Sequence, residues 1–136
     1  VYFGKKQDTD QYYLRMVIAY YAPSRLGVEE YTFTIDDEEY VVKPRDVVRT
    51  LDVRTNRARM DEPSDESVGI CEYYDIGMNE EEFELMEKIS SAKTVKLRYD
   101  GIKGYKRVKI HNSSKKAIKD VLDAFKELTG MTGKII

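Results

Sequence analysis

Alternation of apolar and polar residues predicts β-strands along most of the first half of the chain. In the longest such segment, residues 11–21, one side collects every second side chain: Tyr12, Leu14, Met16, Ile18 and Tyr20. Residues 31–35 and 40–42 alternate in the same way around the acidic turn 36–39, which is typical of a hairpin. Residues 47–53 fit a short helix almost as well as a strand, and we favour the strand.

The second half of the chain reads as strand, helix, hairpin and helix. Residues 70–76 form a short strand, and Asn79 followed by Glu82 is a capping box for a helix that ends near Ser91. The buried stripe of this helix is predicted to contain Phe83, Met86 and Ile89, with Leu85 as a further candidate. Residues 95–110 then alternate on both sides of the turn 100–104, which predicts a second hairpin.

A second amphipathic helix is predicted over residues 113–128. Asn112 or Ser113 is expected to cap its start, and Gly130 stands where a helix C-cap is expected. Helical spacing places five apolar side chains on its buried face: Ile118, Val121, Leu122, Phe125 and Leu128. Such a face has to lie on a sheet.

These elements predict an α+β fold with one mainly antiparallel sheet in a two-layer arrangement, and two helices packed side by side on one face. We expect residues 1–136 to form a single domain in which residues 1–10 are a flexible N-terminal segment. Residues 56–68, which include the acidic run 61–67, are predicted to be the longest loop. That loop has carboxylates enough for a calcium ion but lacks a calcium loop's spacing, so a solvated loop is favoured.

Charge is divided unevenly along a chain whose formal net charge is only -2. Residues 91–136 contain twelve Lys and Arg against four Asp and Glu, whereas residues 1–90 contain eleven against twenty-one. Such an asymmetry indicates either internal charge pairing or an anionic partner. With 41% apolar residues, the chain has no apolar run long enough to cross a membrane, and any anchor is expected upstream of Val1.

Catalytic chemistry has few candidates in this sequence. His111 is the only histidine and Cys71 the only cysteine, so a histidine-based metal site and an internal disulfide are both excluded. We interpret His111 as an exposed residue beside a helix cap, and Cys71 as a small core residue of a strand. The sequence predicts no enzyme activity, no metal and no cofactor.

The clearest functional signal is a cluster of cations in the second hairpin. Period-two alternation places Lys96, Arg98, Arg107 and Lys109 on the face opposite the helices, with Tyr105 nearby. Four adjacent cations repel one another unless an anion covers them. That anion is either the chain's own acidic half, for instance Glu72 or Asp52, or an external polyanion; we favour the internal pairing, and the chain's acidity argues against nucleic acid.

Tyrosine is abundant, with eleven residues and no tryptophan. Three doublets, at 12–13, 20–21 and 73–74, place one ring on each side of their strands. One ring of each pair is expected in the core. The other either packs across strands, which we favour, or lines an open face that meets a sugar, a peptide or another protein.

Four segments also carry a resemblance to known proteins: residues 72–75, 82–93, 95–101 and 117–125. Together they resemble the C-terminal part of a loose set of uncharacterised Gram-positive proteins, many of them membrane-anchored lipoproteins or extracytoplasmic domains linked to zinc ribbons. The resemblance implies the fold and a location in the bacterial cell envelope, and it identifies no functional residue. Together with the lack of a catalytic constellation, it leads us to expect a non-catalytic binding or protein-interaction module whose partner is a protein or an envelope polymer. The alternative function is binding of a polyanion or nucleic acid through the basic sheet face, and the alternative location is the cytoplasm.

Overall fold

The computed structural model describes residues 1–9, 11–54 and 68–130. It has an α+β fold, which confirms the predicted class and the antiparallel strand pairing. The elements in chain order are β1 (Tyr2–Lys5), β2 (Tyr12–Ala22), β3 (Val28–Ile35), β4 (Glu38–Val42), β5 (Arg49–Arg54), β6 (Val68–Gly77), α1 (Glu80–Ser91), β7 (Val95–Gly101), β8 (Gly104–Lys109) and α2 (Asn112–Thr129).

The strands form two four-stranded sheets rather than the single sheet expected. The first sheet has the order β1-β2-β6-β5 and the second the order β4-β3-β7-β8. The separation arises between β2 and β3, where the Glu72 carboxylate of β6 accepts the backbone N–H groups of residues 26, 27 and 28 at 2.8, 2.8 and 2.9 Å. Both edges of β2 are paired, one with β1 and the other with β6, and β3 pairs with β4 and β7 instead.

Both sheets and both helices contribute to one hydrophobic core. The predicted alternation of β2 is confirmed, since Leu14, Met16 and Ile18 are buried. Tyrosines join the two sheets across this core. The rings of Tyr31 and Tyr74 stack with centroids 6.1 Å apart, and the Tyr99 hydroxyl donates a hydrogen bond of 2.9 Å to a carbonyl of β2.

Helix α1 begins with the predicted capping box. The Asn79 side chain accepts from the Glu82 N–H at 2.9 Å, and the Glu82 carboxylate accepts from the Asn79 N–H at 2.9 Å. Glu82 also binds the Arg45 guanidinium, which attaches the loop after β4 to the start of the helix. The predicted stripe of Phe83, Met86 and Ile89 is buried, and so is Leu85, its fourth candidate.

Helix α2 departs from expectation at its start and in its buried face. It begins after His111, whose side chain makes no capping bond, so neither Asn112 nor Ser113 is the cap. Leu128 is 53% exposed, because α2 packs against α1, β1 and β2 instead of lying along a whole sheet. In the first turn of the helix Lys115 is buried, and its ammonium donates to the carbonyls of residues 92 and 93 at the end of α1. The αL conformation of Gly130 confirms the predicted C-cap.

Two assignments in the first half have different outcomes. Residues 2–5, expected to belong to a flexible segment, form β1 against β2, because Phe3 packs on Phe125 with ring centroids 6.1 Å apart. Residues 49–54 form a strand, which confirms the favoured interpretation. The predicted loop 56–68 and its acidic run lie outside the described residues, apart from Val68, which begins β6.

Candidate functional site

The hairpin of β7 and β8 places the four predicted cations together on the outer face of the second sheet. Lys96 lies opposite Lys109 and Arg98 lies opposite Arg107 in the strand register. A two-residue turn, Ile102-Lys103, joins the strands, and Gly104 follows it with a φ of 123° that favours glycine. We call the outer face of these four cations together with Tyr105 the basic face.

The cations of the basic face differ in their surroundings. Arg98 is half-buried, and its Nε donates to the Asp100 carboxylate at 3.0 Å. The Arg107 guanidinium lies over the Tyr105 ring, 5.1 Å from the centroid, while Lys96 and Lys109 are exposed. Within the described part of the chain, Lys96, Arg107 and Lys109 have no carboxylate within salt-bridge distance. Three of the four cations therefore have no salt-bridge partner among the described residues.

A shallow depression of about 230 Å³ lies between the cations and the neighbouring strand β3. Thr32 and Thr34 line it opposite Arg98 and Lys96, and Glu39 of β4 lines its far side. Thr32 is only 4% exposed, yet its hydroxyl has no hydrogen-bond partner among the described residues. A buried hydroxyl without a partner is costly. Because this oxygen is almost inaccessible, a ligand in the depression would reach it only after a neighbouring side chain moved.

The prediction that Glu72 or Asp52 pairs with the cations of the basic face is wrong for both residues. Glu72 faces the core from β6 and is saturated by three backbone N–H groups. Asp52 lies on β5, in the other sheet. Within the described residues, the carboxylates on this face of the second sheet are Asp100, which pairs with Arg98, Glu30, which lies opposite Asp100 in the register, and Glu39, which lines the rim.

Sequence reasoning missed the contribution of β3 to this site. The alternation of β3 was visible, and it places Thr32 and Thr34 on the side opposite Phe33. Their position beside the cations depends on the pairing of β3 with β7, which are separated by more than fifty residues in the chain. Local periodicity carries no information about such a pairing.

The two candidate catalytic residues lie on different elements. His111 is exposed at the start of α2, whereas Cys71 is partly buried on the outward side of β6, in the first sheet. No hydrogen bond among the described residues joins them. Within residues 1–9, 11–54 and 68–130, no group of three His, Cys, Asp or Glu residues is arranged to hold a metal ion.

The outer face of the first sheet is a second open surface, which we call the aromatic face. Its most exposed large side chains are Tyr2, Tyr13, Val17, Tyr21 and Leu51. Two of the rings lie flat over glycines, since a Cβ on Gly4 would stand 2.4 Å from the Tyr13 hydroxyl and one on Gly69 would stand 2.3 Å from the Tyr21 hydroxyl. This is cross-strand packing of the kind favoured from the sequence.

Polar side chains close one end of the aromatic face. The Asp75 carboxylate accepts from the Tyr2 hydroxyl and from the Arg15 Nε, each at 2.8 Å. Partial desolvation, followed by the hydrogen bond to Asp75, raises the pKa of Tyr2, and the bond to Asp75 raises the pKa of Arg15. Asp75 and Arg15 form an ion pair here, so this surface has fewer unpaired charges than the basic face.

Comparison with protein-family models, with curated proteins and with solved structures finds no match to this chain. The resemblance to Gram-positive envelope proteins therefore stays a prediction. Neither helix that the structure describes combines the length and apolarity needed to span a membrane.

Proposed function

We propose that the chain is a non-catalytic binding module that takes an anionic ligand through the basic face. The observation that carries this proposal is the group of three cations, Lys96, Arg107 and Lys109, that have no salt-bridge partner among the described residues. Arg98 and Tyr105 complete the proposed site. The cations supply attraction and charge-assisted hydrogen bonds, and the exposed Tyr105 ring supplies a surface for stacking.

Charge repulsion supports a binding role for this face. Like charges that lie directly opposite each other on neighbouring strands destabilise a sheet. Lysine and arginine on an edge strand do protect a sheet against aggregation, which is a sufficient reason for the cations of β8. That reason does not extend to Lys96 and Arg98, because β7 is an internal strand. An anion that covers the face relieves the repulsion across both strands.

The spacing of the cations suits a repeating anion. Neighbouring strands lie about 4.8 Å apart, and alternate residues along a strand lie about 6.8 Å apart. The basic face therefore offers a small grid of positive charge whose dimensions resemble the spacing of charges along an extended polyanion or an acidic peptide. The location in the bacterial cell envelope is part of the same proposal and is supported by the resemblance of residues 72–125 to envelope proteins.

The test measures binding of heparin and of a single-stranded oligo(dT) as a function of salt. Neutralising three or four phosphates predicts that affinity for the oligonucleotide falls about 20- to 50-fold between about 50 and 200 mM salt. The double variant Arg98→Ala/Arg107→Ala should weaken binding and flatten this dependence. Circular dichroism should show an unchanged fold, since both side chains are at least partly exposed.

A matched control removes the same charge from another surface. Lys116→Ala/Lys119→Ala changes two exposed lysines of α2 that pair with aspartates on their own helix, so binding should stay within about twofold of the original. Two results would refute the proposal: no retention of either polyanion at low salt, or equal weakening by both double variants.

A further inference from the structure

Strand β8 is a free edge of the second sheet. It is the last strand in the order β4-β3-β7-β8, and all six of its residues are exposed. No segment among the described residues pairs with its outer side. An edge strand offers a row of N–H and C=O groups to which a further strand can be added.

The hydrogen-bond pattern identifies which backbone groups of β8 face outward. The Ile110 N–H donates to the Val95 carbonyl at 2.9 Å, so these two residues form a hydrogen-bonded pair. Hydrogen-bonded pairs alternate along an antiparallel hairpin, so the pairs 97/108, 99/106 and 101/104 also bond within it. Residues 104, 106 and 108 therefore direct their backbone groups toward β7. Tyr105, Arg107 and Lys109 direct theirs away from the sheet.

These same three residues carry their side chains on the basic face. A strand added antiparallel to β8 places residues directly opposite Tyr105, Arg107 and Lys109, with side chains on the same face. Alternate side chains of the added strand then stand beside Arg107 and Lys109. Acidic residues at positions i and i+2 fit both cations at once.

We propose that β8 accepts an extended acidic peptide of a partner protein as an additional strand of the second sheet. This proposal rests on the proposed function, and it specifies the anionic ligand as an acidic peptide. Outward backbone groups supply affinity, and carboxylates at alternate positions, beside Arg107 and Lys109, supply specificity. The cations also prevent two β8 strands from pairing with each other, so the edge rejects its own copy and accepts an anionic strand.

The opposite edge of this sheet, in a second copy of the chain, is a less suitable partner for β8. Strand β4 is also an edge and is acidic, but Glu38 pairs with Ile35 across the turn, so the outward residues of β4 are Glu39 and Val41. A second copy would thus bring a single carboxylate to the basic face. An unrelated peptide with two alternating acidic residues makes better use of the two cations.

The experiment compares three synthetic nine-residue peptides in which glutamate alternates with valine or threonine. The first is unmodified. The second carries N-methyl groups on two glutamates, whose N–H groups would face β8. The third carries the same groups on two of the intervening residues, whose N–H groups would face solvent. Net charge is equal in all three, so the peptides differ only in where backbone hydrogen bonding is blocked.

Binding is measured by fluorescence polarisation, and amide hydrogen exchange of the protein is followed by NMR. Blocking two backbone hydrogen bonds should weaken the second peptide at least about tenfold relative to the third. The unmodified peptide should slow exchange of the Tyr105, Arg107 and Lys109 amides, while those of Lys106 and Val108 are already protected in the free protein.

Three outcomes would overturn the peptide proposal. Equal binding of the two methylated peptides would mean that the outward backbone groups of β8 are not used, and equal binding of all three would mean that only charge is recognised. Binding of oligo(dT) without any peptide binding would assign the face to nucleic acid. Protection of the three amides that rises with protein concentration alone would identify a second copy as the occupant. The first two outcomes leave the proposed function standing, whereas absence of binding by every anion refutes both.

Discussion

Replacement of Glu72 by glutamine should weaken the connection between the two sheets. Glu72 is 2% exposed, and its two carboxylate oxygens together accept the backbone N–H groups of Leu26, Gly27 and Val28. These bonds hold the loop after β2 in the path that carries the chain to the second sheet. Glutamine has nearly the same shape, so the substitution changes hydrogen bonding with little change in packing.

The expected magnitude follows from the three bonds. Glutamine keeps one acceptor oxygen, which can still serve two of the N–H groups, but its amide nitrogen faces the third donor. Loss of a bond to a charged acceptor costs about 1.5 to 3 kcal/mol. The two bonds that remain become neutral and roughly half as strong. Together these changes predict a loss of about 3 kcal/mol in the free energy of unfolding.

Urea denaturation followed by circular dichroism measures this loss. Glu84→Gln is the matched control, because Glu84 is exposed on α1, and it should change stability by no more than about 0.5 kcal/mol. A loss below about 1 kcal/mol for Glu72→Gln would show that this carboxylate does not hold the loop.

Three further predictions concern the core and ionisation. Phe125→Ala should cost about 3 to 5 kcal/mol in the same assay, while Leu128→Ala, at an exposed position, should cost under about 0.5 kcal/mol; similar losses would contradict the packing of α2. Hydrogen bonds from the Thr94 and Lys93 amides lower the pKa of Asp36 below its ordinary 3.8, so its carboxylate adds stability above that pH and the gain is lost as pH falls through the lowered value. Asp36→Asn, compatible with the φ of 45°, should therefore lose less stability than the original protein from about pH 5 to about pH 3, and equal losses would count against this. Burial, with smaller contributions from Tyr20 and Cys71, raises the pKa of Tyr99 to about 12, so its stabilising contribution is lost as pH rises from about 10 toward that value. An absorbance titration should show this tyrosine ionising late, and complete ionisation near pH 10 with the fold intact would refute its burial.

Local signals in the sequence were enough for the secondary structure. The Asn79 and Glu82 capping box, the hairpin of residues 95–110 and the C-cap at Gly130 each depend on residues close together in the chain. Period two alone was enough to place Lys96, Arg98, Arg107 and Lys109 on one face. These features were predictable because the physical cause lies within a few residues.

The features that the sequence did not predict depend on contacts between residues far apart in the chain. The division into two sheets depends on Glu72 reaching a loop more than forty residues earlier in the chain. The burial of Lys115 depends on carbonyl groups at the end of α1. Strand β1, only four residues long, is fixed by the contact of Phe3 with Phe125. None of these partners can be recognised from local spacing.

The basic face, rather than the aromatic face, is proposed to bind the anionic ligand, and NMR titration of isotope-labelled protein with a heparin oligosaccharide tests this directly. We predict that amide shift changes are largest at Thr32, in residues 96–100 and in residues 105–109, and that Tyr13 and Tyr21 are unaffected. Changes centred on Tyr13 and Tyr21, or spread evenly over both sheets and α2, would contradict the assignment of the binding surface.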